Sequence, residues 1–229
     1  MRPIRSFGRT RSRPLSRNQA ELLESNLASL LVPNDIRLDF VPIELMPSAK
    51  EVWVEIGFGG AEHLIKQAQN NPDVLFIGAE PFIEGVAKAV KEIEVHGIKN
   101  IRLINADVRP FLNCLADNTL ERIFILFPDP WQKSKHNKRR LINKSFVEDL
   151  VRILKPAGKL RFATDWADYA NKALAVFLGN KDLEWGAEVA TDWQTPKPDH
   201  FTTRYETKGL GDCKPMFFDF EKISPDLAR

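Results

Sequence analysis

Short apolar runs alternate with longer amphipathic segments over most of the 229-residue chain. The apolar runs have the length and composition of buried strands and lie at residues 51–56, 74–80, 101–105, 122–127 and 159–164. The segments between and after them have helical spacing of apolar residues and lie at residues 61–69, 82–96, 108–115, 144–154 and 166–178. This alternation predicts an α/β fold, with a mostly parallel sheet that is flanked by helices on both faces.

The pattern changes at both ends of this alternation. A helix is predicted over residues 18–32, where Asn18 can act as the N-cap and leucines line one face. Two late strands are predicted near residues 184–190 and 216–220, and together they would add an antiparallel edge to the sheet. The complete sheet is therefore expected to have about seven strands, within the usual size range of such sheets.

Charge is distributed unevenly, although the net charge is only +2. Residues 1–20 hold six arginines and no acid, and residues 133–140 hold five cations and no acid, which leaves −9 for the rest of the chain. Two concentrated basic segments favour a phosphate backbone as the partner. The first predicts a basic flexible arm over residues 1–17, before a single domain over residues 18–229. An organellar transit peptide is the alternative, since such peptides are also rich in arginine and serine.

Composition argues against several other classes of protein. No apolar run reaches the roughly 18 residues that a membrane helix needs, so no membrane association is expected. Cys114 and Cys213 have neither pairing nor metal-ligand spacing, which predicts a reducing compartment, here the cytoplasm. The four histidines are scattered, so no metal site is expected.

Glycines and acids gather where the predicted strands end. Glu55 precedes a turn that contains Gly57 and Gly59, Glu80 ends the second strand, and Asp107 follows the third. Open α/β sheets bind ligands at the carboxyl ends of their strands. Glycine lets the backbone turn tightly and approach a ligand, and Glu80 has the sequence spacing of an acid that binds a ribose hydroxyl.

These features fit either a dinucleotide or S-adenosylmethionine. A dinucleotide-binding turn needs glycine where this chain has Glu62, whose carboxylate would repel a pyrophosphate. Glu55 is also ill-suited to a phosphate, but it suits a sulfonium cofactor that carries an amino group. Asp107 can bond the adenine amine or the ribose edge. S-adenosylmethionine is therefore the expected cofactor, and a nucleotide oxidoreductase is the least favoured alternative.

The segment after the fourth strand carries the most specific pattern in the chain. Two prolines flank Asp129 and Trp131 follows, before five cations: Lys133, Lys135, Lys138, Arg139 and Arg140. An acid and an aromatic ring beside a basic patch, at the carboxyl end of a strand, indicate chemistry on a polyanion. A solvated loop is the alternative for the whole segment. Trp131 either stacks on a base or braces the loop.

Residues 128–140 resemble the pattern PDPW-x-K-x-x-H-x-K-R-R of the bacterial tRNA guanine-N7 methyltransferases. Residues 163–166 (ATDW) are close to a second motif of that family, and residues 203–206 (TRYE) are similar to its T-[KR]-[FY]-E. The resemblance extends from about residue 55 to residue 206. Ala61 departs from it, because the family commonly has glycine or a similarly small residue there. The resemblance implies a Rossmann-like class I methyltransferase that methylates N7 of a guanosine in tRNA, in the variable loop.

The resemblance also implies roles for single residues. Guanine N7 is unprotonated at neutral pH, so the reaction needs no strong base, but methylation leaves a positive charge that Asp129 can stabilise. Asp165 is the second candidate for the catalytic carboxylate and is expected to orient the base. The expected cofactor-binding residues are Glu55, Gly57, Gly59, Glu80, Asp107 and Asp129. The expected substrate-binding residues are Lys133, Asp165, Thr203, Arg204, Tyr205 and Glu206, and the expected phosphate contacts are Lys135, Lys138, Arg139 and Arg140.

Two other functions share parts of this pattern. A methyltransferase for a small molecule or a protein would have the same cofactor site, but the basic segments argue against it. An RNA-binding protein with a vestigial cofactor fold would have the same basic segments, but the complete set of strand-end acids argues against it. Measurable cofactor binding would separate the second alternative from an enzyme.

Overall fold

A seven-stranded sheet forms the centre of the computed structural model, which describes residues 14–224. The strands are β1 (Glu51–Ile56), β2 (Val74–Ala79), β3 (Ile101–Ile104), β4 (Leu120–Leu126), β5 (Leu154–Thr164), β6 (Leu183–Trp185) and β7 (Met216–Lys222). Their order is β3-β2-β1-β4-β5-β7-β6. The pairs among β1 to β5 are parallel, and β7 runs antiparallel to both of its neighbours. The predicted α/β class with a mostly parallel sheet is confirmed.

Seven α-helices are present in the part of the chain that the structure describes. They are α1 (Arg17–Leu30), α2 (Glu62–Asn70), α3 (Ile83–His96), α4 (Arg109–Cys114), α5 (Lys144–Ile153), α6 (Ala167–Leu178) and α7 (Thr191–Gln194). No helix within residues 14–224 is both long enough and apolar enough to cross a membrane.

The core is divided between the two faces of the sheet. Val52, Val54 and Ile56 of β1 pack in the cluster that includes α4, α5 and α6, whereas Trp53 packs with α1, α2 and α3. Alternate residues of a strand point to opposite faces, so β1 is covered by helices on both sides of the sheet. The strand order reverses between β1 and β4, where sheets of this type bind ligands.

The structure corrects the predicted start of α1. Ser16, not Asn18, is the N-cap: its side chain accepts from the backbone of Gln19, and the Gln19 side chain bonds back to the Ser16 backbone. This reciprocal pair is a capping box, and it makes Arg17 the first residue of the helix instead of the last residue of an arm. Residues 1–13, which make up most of the predicted arm, lie outside the described residues.

Two strand predictions also need correction. The strand predicted at residues 184–190 is only three residues long, Leu183–Trp185, because it pairs with β7 alone at the edge of the sheet. The chain then turns away, and α7 begins at Thr191. β5 begins at Leu154 instead of residue 159, and an irregularity in its register with β4 separates the two parts of the strand.

Candidate active site

The turn after β1 is built on two glycines with positive φ. Gly57 has φ +77° and Gly59 has φ +54°, a region that other residues enter only with strain. A Cβ added to either glycine would meet no protein atom within 4 Å, so the space beside the turn is open. At Gly85, the third residue of α3, a Cβ would lie 2.3 Å from the Gly59 oxygen. The start of α3 therefore packs directly on this turn, a contact that the sequence pattern did not reveal.

Glu80 fixes the same turn from the end of β2. Its Oε2 accepts a hydrogen bond from the Gly59 nitrogen at 2.9 Å, and its Oε1 accepts one from the Phe82 nitrogen at 2.9 Å. Burial raises the pKa of Glu80; the two backbone hydrogen bonds oppose this shift, and the charges of Asp129 and Glu55 add to it. Each carboxylate oxygen has a second lone pair, which leaves capacity for a ribose hydroxyl.

Glu55 lies almost fully buried at the end of β1. Its Oε2 is 2.7 Å from Nδ1 of His63, which is itself buried in the first turn of α2. Buried polar groups of this kind are nearly always paired. His63 was missed by the sequence analysis, and its position eight residues after Glu55, on the first turn of a helix, is the signal that could have found it.

Asp107 is paired with a cation that the sequence analysis also missed. Arg109, the first residue of α4, donates to Asp107 through Nε at 2.9 Å and through Nη2 at 2.6 Å. Burial opposes ionisation of Asp107, but the hydrogen bonds and charge of Arg109 outweigh it and hold the pKa of the carboxyl below its ordinary value. Asp107 therefore faces the crevice as a stable carboxylate.

The turn after β4 has an unusual backbone that presents Asp129. Phe127 has φ +51° and Trp131 has φ +44°, although neither is glycine. Such conformations cost on the order of 1–3 kcal/mol each and persist only where the surroundings enforce them. The Phe127 nitrogen donates to the Ala163 oxygen at 2.8 Å, and the Phe127 ring lies 5.5 Å from that of Tyr205. These two contacts hold Phe127 in place, and Asp129, two residues later, is exposed and lines the crevice.

Arg140 packs against this turn and is buried, which differs from its predicted role as a phosphate contact. Its side chain is only 5% exposed, its Nε donates to the Pro130 oxygen at 2.7 Å, and its Nη1 pairs with Asp168 at 2.8 Å. The guanidinium also stacks over the Tyr169 ring at 4.8 Å. Arg140 was expected among the phosphate contacts, but its guanidinium is buried and is bonded to partners within the fold. We therefore remove it from the candidate RNA surface.

The neighbouring cations of the basic run are placed differently. Lys133, Lys135 and Lys138 are exposed, whereas Arg139 is half-buried and stacks over the Trp131 ring at 5.0 Å. The Trp131 ring also contacts that of His136, with centroids 6.0 Å apart. Of the two roles considered for Trp131, these contacts favour bracing of the loop.

The predicted substrate residues near the C-terminus divide into two groups. Thr203, Arg204 and Tyr205 line the crevice. Asp165 is 3% exposed, and the chain at Gly211 packs so closely on it that a Cβ there would lie 2.2 Å from the Asp165 oxygen. Burial raises the pKa of Asp165. Its Oδ1 accepts a hydrogen bond from the Tyr205 hydroxyl at 3.3 Å, so Asp165, which was expected to orient the base, lies behind Tyr205 and does not line the crevice.

Glu206 is likewise engaged within its own loop. Its carboxylate lies 3.0 Å from Nε2 of His200 and accepts from the Thr203 nitrogen at 2.7 Å. Burial opposes ionisation, but these partners hold the pKa of Glu206 below its ordinary value. These bonds close the loop, and Glu206, which was expected to bind the substrate, does not line the crevice.

One crevice of about 1360 Å³ brings most of the predicted site together. Its lining includes Glu55, Gly57, Gly59, Glu80, Asp107, Asp129, Lys133, Lys138, Arg139, Arg140, Thr203, Arg204 and Tyr205. Lys135, Asp165 and Glu206 are not part of that lining. The volume exceeds the roughly 300–1,000 Å³ of a typical small-molecule site, which leaves room for a cofactor and a second group.

The interior of the crevice fits S-adenosylmethionine better than a phosphate ligand. Asp129 and Glu55 are close enough to Glu80 to raise its pKa, so three carboxylates share one region beside the open glycine turn. Such a cluster attracts a sulfonium and an amino group and repels a pyrophosphate. Among the described residues, no group of three or more His, Cys, Asp or Glu side chains is arranged to hold a metal ion.

Comparison with known proteins identifies the family to which this chain belongs. Residues 49–218 match a family model described as a putative methyltransferase. The chain is 50% identical over 220 residues to the tRNA (guanine-N(7)-)-methyltransferase of Caulobacter vibrioides strain NA1000 / CB15N, with 96% of each chain covered. The chain belongs to the tRNA (guanine-N(7)-)-methyltransferase family. The protein of the same name from Rhodospirillum rubrum is 40% identical, over 95% of this chain and 88% of its own.

Solved structures of low identity share the fold of this methyltransferase. TrmN from Thermus thermophilus has 16% identity and a TM-score of 0.53, over 79% of this chain and 47% of its own. SMU.1697c from Streptococcus mutans, solved in complex with SAH, has 11% identity and a TM-score of 0.53, over 91% of this chain and all of its own. The family resemblance found in the sequence and the class I methyltransferase fold are both confirmed.

Proposed function

We propose that this methyltransferase transfers a methyl group from S-adenosylmethionine to N7 of a guanosine in the variable loop of tRNA, in the cytoplasm. The observation that carries the proposal is one crevice with an acidic interior and a basic rim, in a chain whose relatives are tRNA (guanine-N(7)-)-methyltransferases. The acidic part suits a cationic cofactor, and the exposed lysines beside it suit the phosphates of an RNA.

The cofactor would be held by groups from three strand ends. When bound, S-adenosylmethionine supplies an electrophilic methyl group that the lone pair of N7 attacks. Gly57 and Gly59 leave room for it, Glu80 accepts from ribose hydroxyls, and Glu55 faces the amino group. Asp107, kept ionised by Arg109, accepts from the adenine amine or the ribose edge.

Asp129 would act on the purine. The base loses no proton from N7 in the reaction, and it gains a positive charge that is shared over its rings. An exposed carboxylate held on a rigid turn stabilises that charge as it develops, without having to reorganise. Binding the two reactants in one crevice supplies much of the remaining rate enhancement.

Residues 203–205 would hold the base and its phosphate. Tyr205 presents its ring to the crevice at a position fixed by Asp165 and by the Phe127 ring. Thr203 and Arg204 offer donors, and Lys133 lies close enough to the turn to meet the phosphate of the target nucleotide. Lys135 and Lys138 would contact the flanking backbone, which gives affinity with little sequence preference.

The test is methylation of a single unmodified tRNA with a methyl-labelled cofactor, followed by mapping of the labelled base. The proposal expects label at one variable-loop guanosine, as N7-methylguanosine, and none when that guanosine is replaced by adenosine. Label at another position or atom would contradict it. A protein that binds S-adenosylhomocysteine but labels no tRNA would favour the small-molecule or protein substrate instead.

A further inference from the structure

Asp199 lies four residues before Thr203 and is fixed from three sides. Its Oδ2 is 2.5 Å from Nη2 of Arg122, and its Oδ1 is 2.9 Å from Nη1 of Arg161. Its backbone oxygen accepts a hydrogen bond from Nε2 of Gln67 at 2.7 Å. An exposed loop rarely has so many charged and buried partners at one residue, because long side chains lose conformational entropy when they are held in place.

The two arginines belong to the rigid part of the molecule. Arg161 of β5 is 3% exposed, and its Nε donates to Asp219 of β7 at 2.7 Å. Arg122 of β4 stacks against the rings of Trp53 and Phe124, at 4.9 and 4.6 Å from their centroids. Contacts within the sheet therefore hold both guanidinium groups in place independently of the loop. Planar guanidinium groups in such fixed places give directional ion pairs.

Gln67, the third partner of Asp199, connects it through His63 to Glu55 in the acidic part of the crevice. Gln67 is 2% exposed, and its Nε2 lies 3.2 Å from Nε2 of His63 as well as bonding to Asp199. If the Gln67 amide donates to both, the proton of a neutral His63 lies on Nδ1, where it donates to Glu55 at 2.7 Å. Asn71 donates to Oε1 of Gln67 at 3.3 Å, which agrees with this orientation of the amide.

The loop beyond Asp199 is closed on itself. Glu206 bonds to His200 and to the Thr203 nitrogen, so residues 200–206 form one compact unit. Fixing Asp199 at the base of this unit therefore fixes residues 203–205, which line the crevice. No atom of Asp199, Gln67 or His63 lines the crevice itself.

We propose that Asp199 is a positioning residue: through Arg122, Arg161 and Gln67 it sets the place of residues 203–205 relative to the cofactor side of the crevice. This inference rests on the proposed function, because it assigns these three residues to the nucleotide. Its consequence is that Gln67, which does not line the crevice, influences how the tRNA is held.

Gln67→Met is the most direct test, because methionine has nearly the same shape and lacks the amide donor. We expect the KM for tRNA to rise about tenfold, which corresponds to the loss of one good hydrogen bond, while the affinity for S-adenosylhomocysteine stays within about twofold. Hydrogen exchange of the amides in residues 200–206 should become faster. Asp199→Ala should produce a larger change of the same kind, and Asp199→Glu should restore part of it.

Asn100→Ala is the matched control. Asn100 is another buried amide in contact with the end of α2, where its Nδ2 donates to the oxygens of Ala68, Asn71 and Val74 at 3.1, 3.0 and 2.9 Å. This variant should lower the melting temperature and leave the KM for tRNA and the exchange of residues 200–206 unchanged. An equal rise of KM in Asn100→Ala would overturn the inference, because general destabilisation would then explain both variants.

The exchange measurement also separates this inference from the proposed function. If the unaltered enzyme methylates no tRNA, the proposed function fails, whereas faster exchange in Gln67→Met still supports the anchoring of the loop. If Gln67→Met leaves exchange and KM unchanged in an active enzyme, the positioning role is wrong and the proposed function stands.

Discussion

Glu80 Oε2 lies 2.9 Å from the backbone nitrogen of Gly59, so the acid at the end of β2 also fixes the turn at the end of β1. One carboxylate therefore joins two neighbouring strand ends, and Glu80 lines the same crevice as the open glycine turn. In the proposed cofactor site this bond holds the turn in place, and we expect the charge of Glu80 to bind the cofactor.

Glu80→Gln should weaken cofactor binding about 10- to 100-fold. Glutamine keeps the shape and one acceptor, but the variant loses the charge-assisted hydrogen bonds, each worth about 1.5–3 kcal/mol. Calorimetry with S-adenosylhomocysteine measures the change. Glu94→Gln, on an exposed part of α3, is the control and should bind normally. Unchanged affinity in Glu80→Gln would remove Glu80 from the cofactor site.

The raised pKa of Glu80 predicts opposite effects of acid on folding and on binding. Because burial raises the folded-state pKa above the unfolded value, the folded protein takes up this proton more readily, and its stability gains from Glu80 as the pH falls through the raised pKa. Cofactor affinity should fall over the same interval, because the ionised form binds. Cofactor affinity and the free energy of unfolding can both be titrated from neutral pH down to the ordinary range of a glutamate. If the Glu80 contribution to stability falls together with affinity as the pH falls, the raised pKa is wrong.

Asp129→Asn should reduce turnover far more than it weakens tRNA binding. Loss of a positioned group that stabilises transition-state charge costs about 2.7–4 kcal/mol, or roughly a hundred- to a thousandfold in rate. Single-turnover kinetics measure the chemical step. Glu62→Gln removes another carboxylate that borders the crevice and should change the rate little. A comparable loss in both variants would indicate a general field effect in place of a specific role for Asp129.

The fold was largely predictable from the sequence because β2 and the C-terminal halves of β1, β4 and β5 are buried on both faces and are therefore mostly apolar. The strand-end acids were predictable for a related reason: a parallel sheet brings its carboxyl ends to one edge. The edge strand at Leu183–Trp185 was predicted to be too long, because its pairing with a single partner strand determines where it ends. That partner, β7, begins about thirty residues later in the chain.

The orientation of single side chains was the part that the sequence did not determine. Arg140 lies in a run of cations and cannot be distinguished from its neighbours by sequence, yet it is buried and bonded to Asp168 and Pro130. Glu206 belongs to a motif that resembles a binding site, but His200 and Thr203 take its hydrogen bonds. These partners follow from the folded loop and have no distinct signal in the sequence pattern.

Replacing Lys135 and Lys138 together with serine should weaken tRNA binding without affecting the cofactor. Both lysines are exposed beside the turn that presents Asp129. If each meets one phosphate, the slope of log affinity against log salt concentration should flatten by about 0.7–0.9 per lost contact. Binding measured over a range of salt concentrations tests this. An unchanged slope would place the RNA elsewhere on the surface.

Arg140→Lys should act on stability instead. Lysine has one compact charged group and does not reproduce both the bond to Pro130 and the ion pair with Asp168. We expect a loss of about 1–2 kcal/mol, or a fall in melting temperature of roughly 2–8 °C. The salt slope of tRNA binding should not change. A stable variant with a flatter slope would return Arg140 to the RNA surface.

Removal of residues 1–13 should weaken tRNA binding and leave the domain intact. This segment contains five arginines and no acid, so it adds attraction for phosphates at long range. The deletion ends before Ser16, whose side chain caps α1 together with Gln19. Melting temperature and S-adenosylhomocysteine affinity should therefore match those of the full chain, while the salt slope flattens by about 0.7–0.9 for each arginine that meets a phosphate. A longer deletion of residues 1–17 should have the same RNA defect and in addition lose about 0.5–2 kcal/mol of stability, because it removes the cap. If the two deletions differ in stability as expected but both keep the full-length affinity and slope, the N-terminal arginines take no part in binding tRNA.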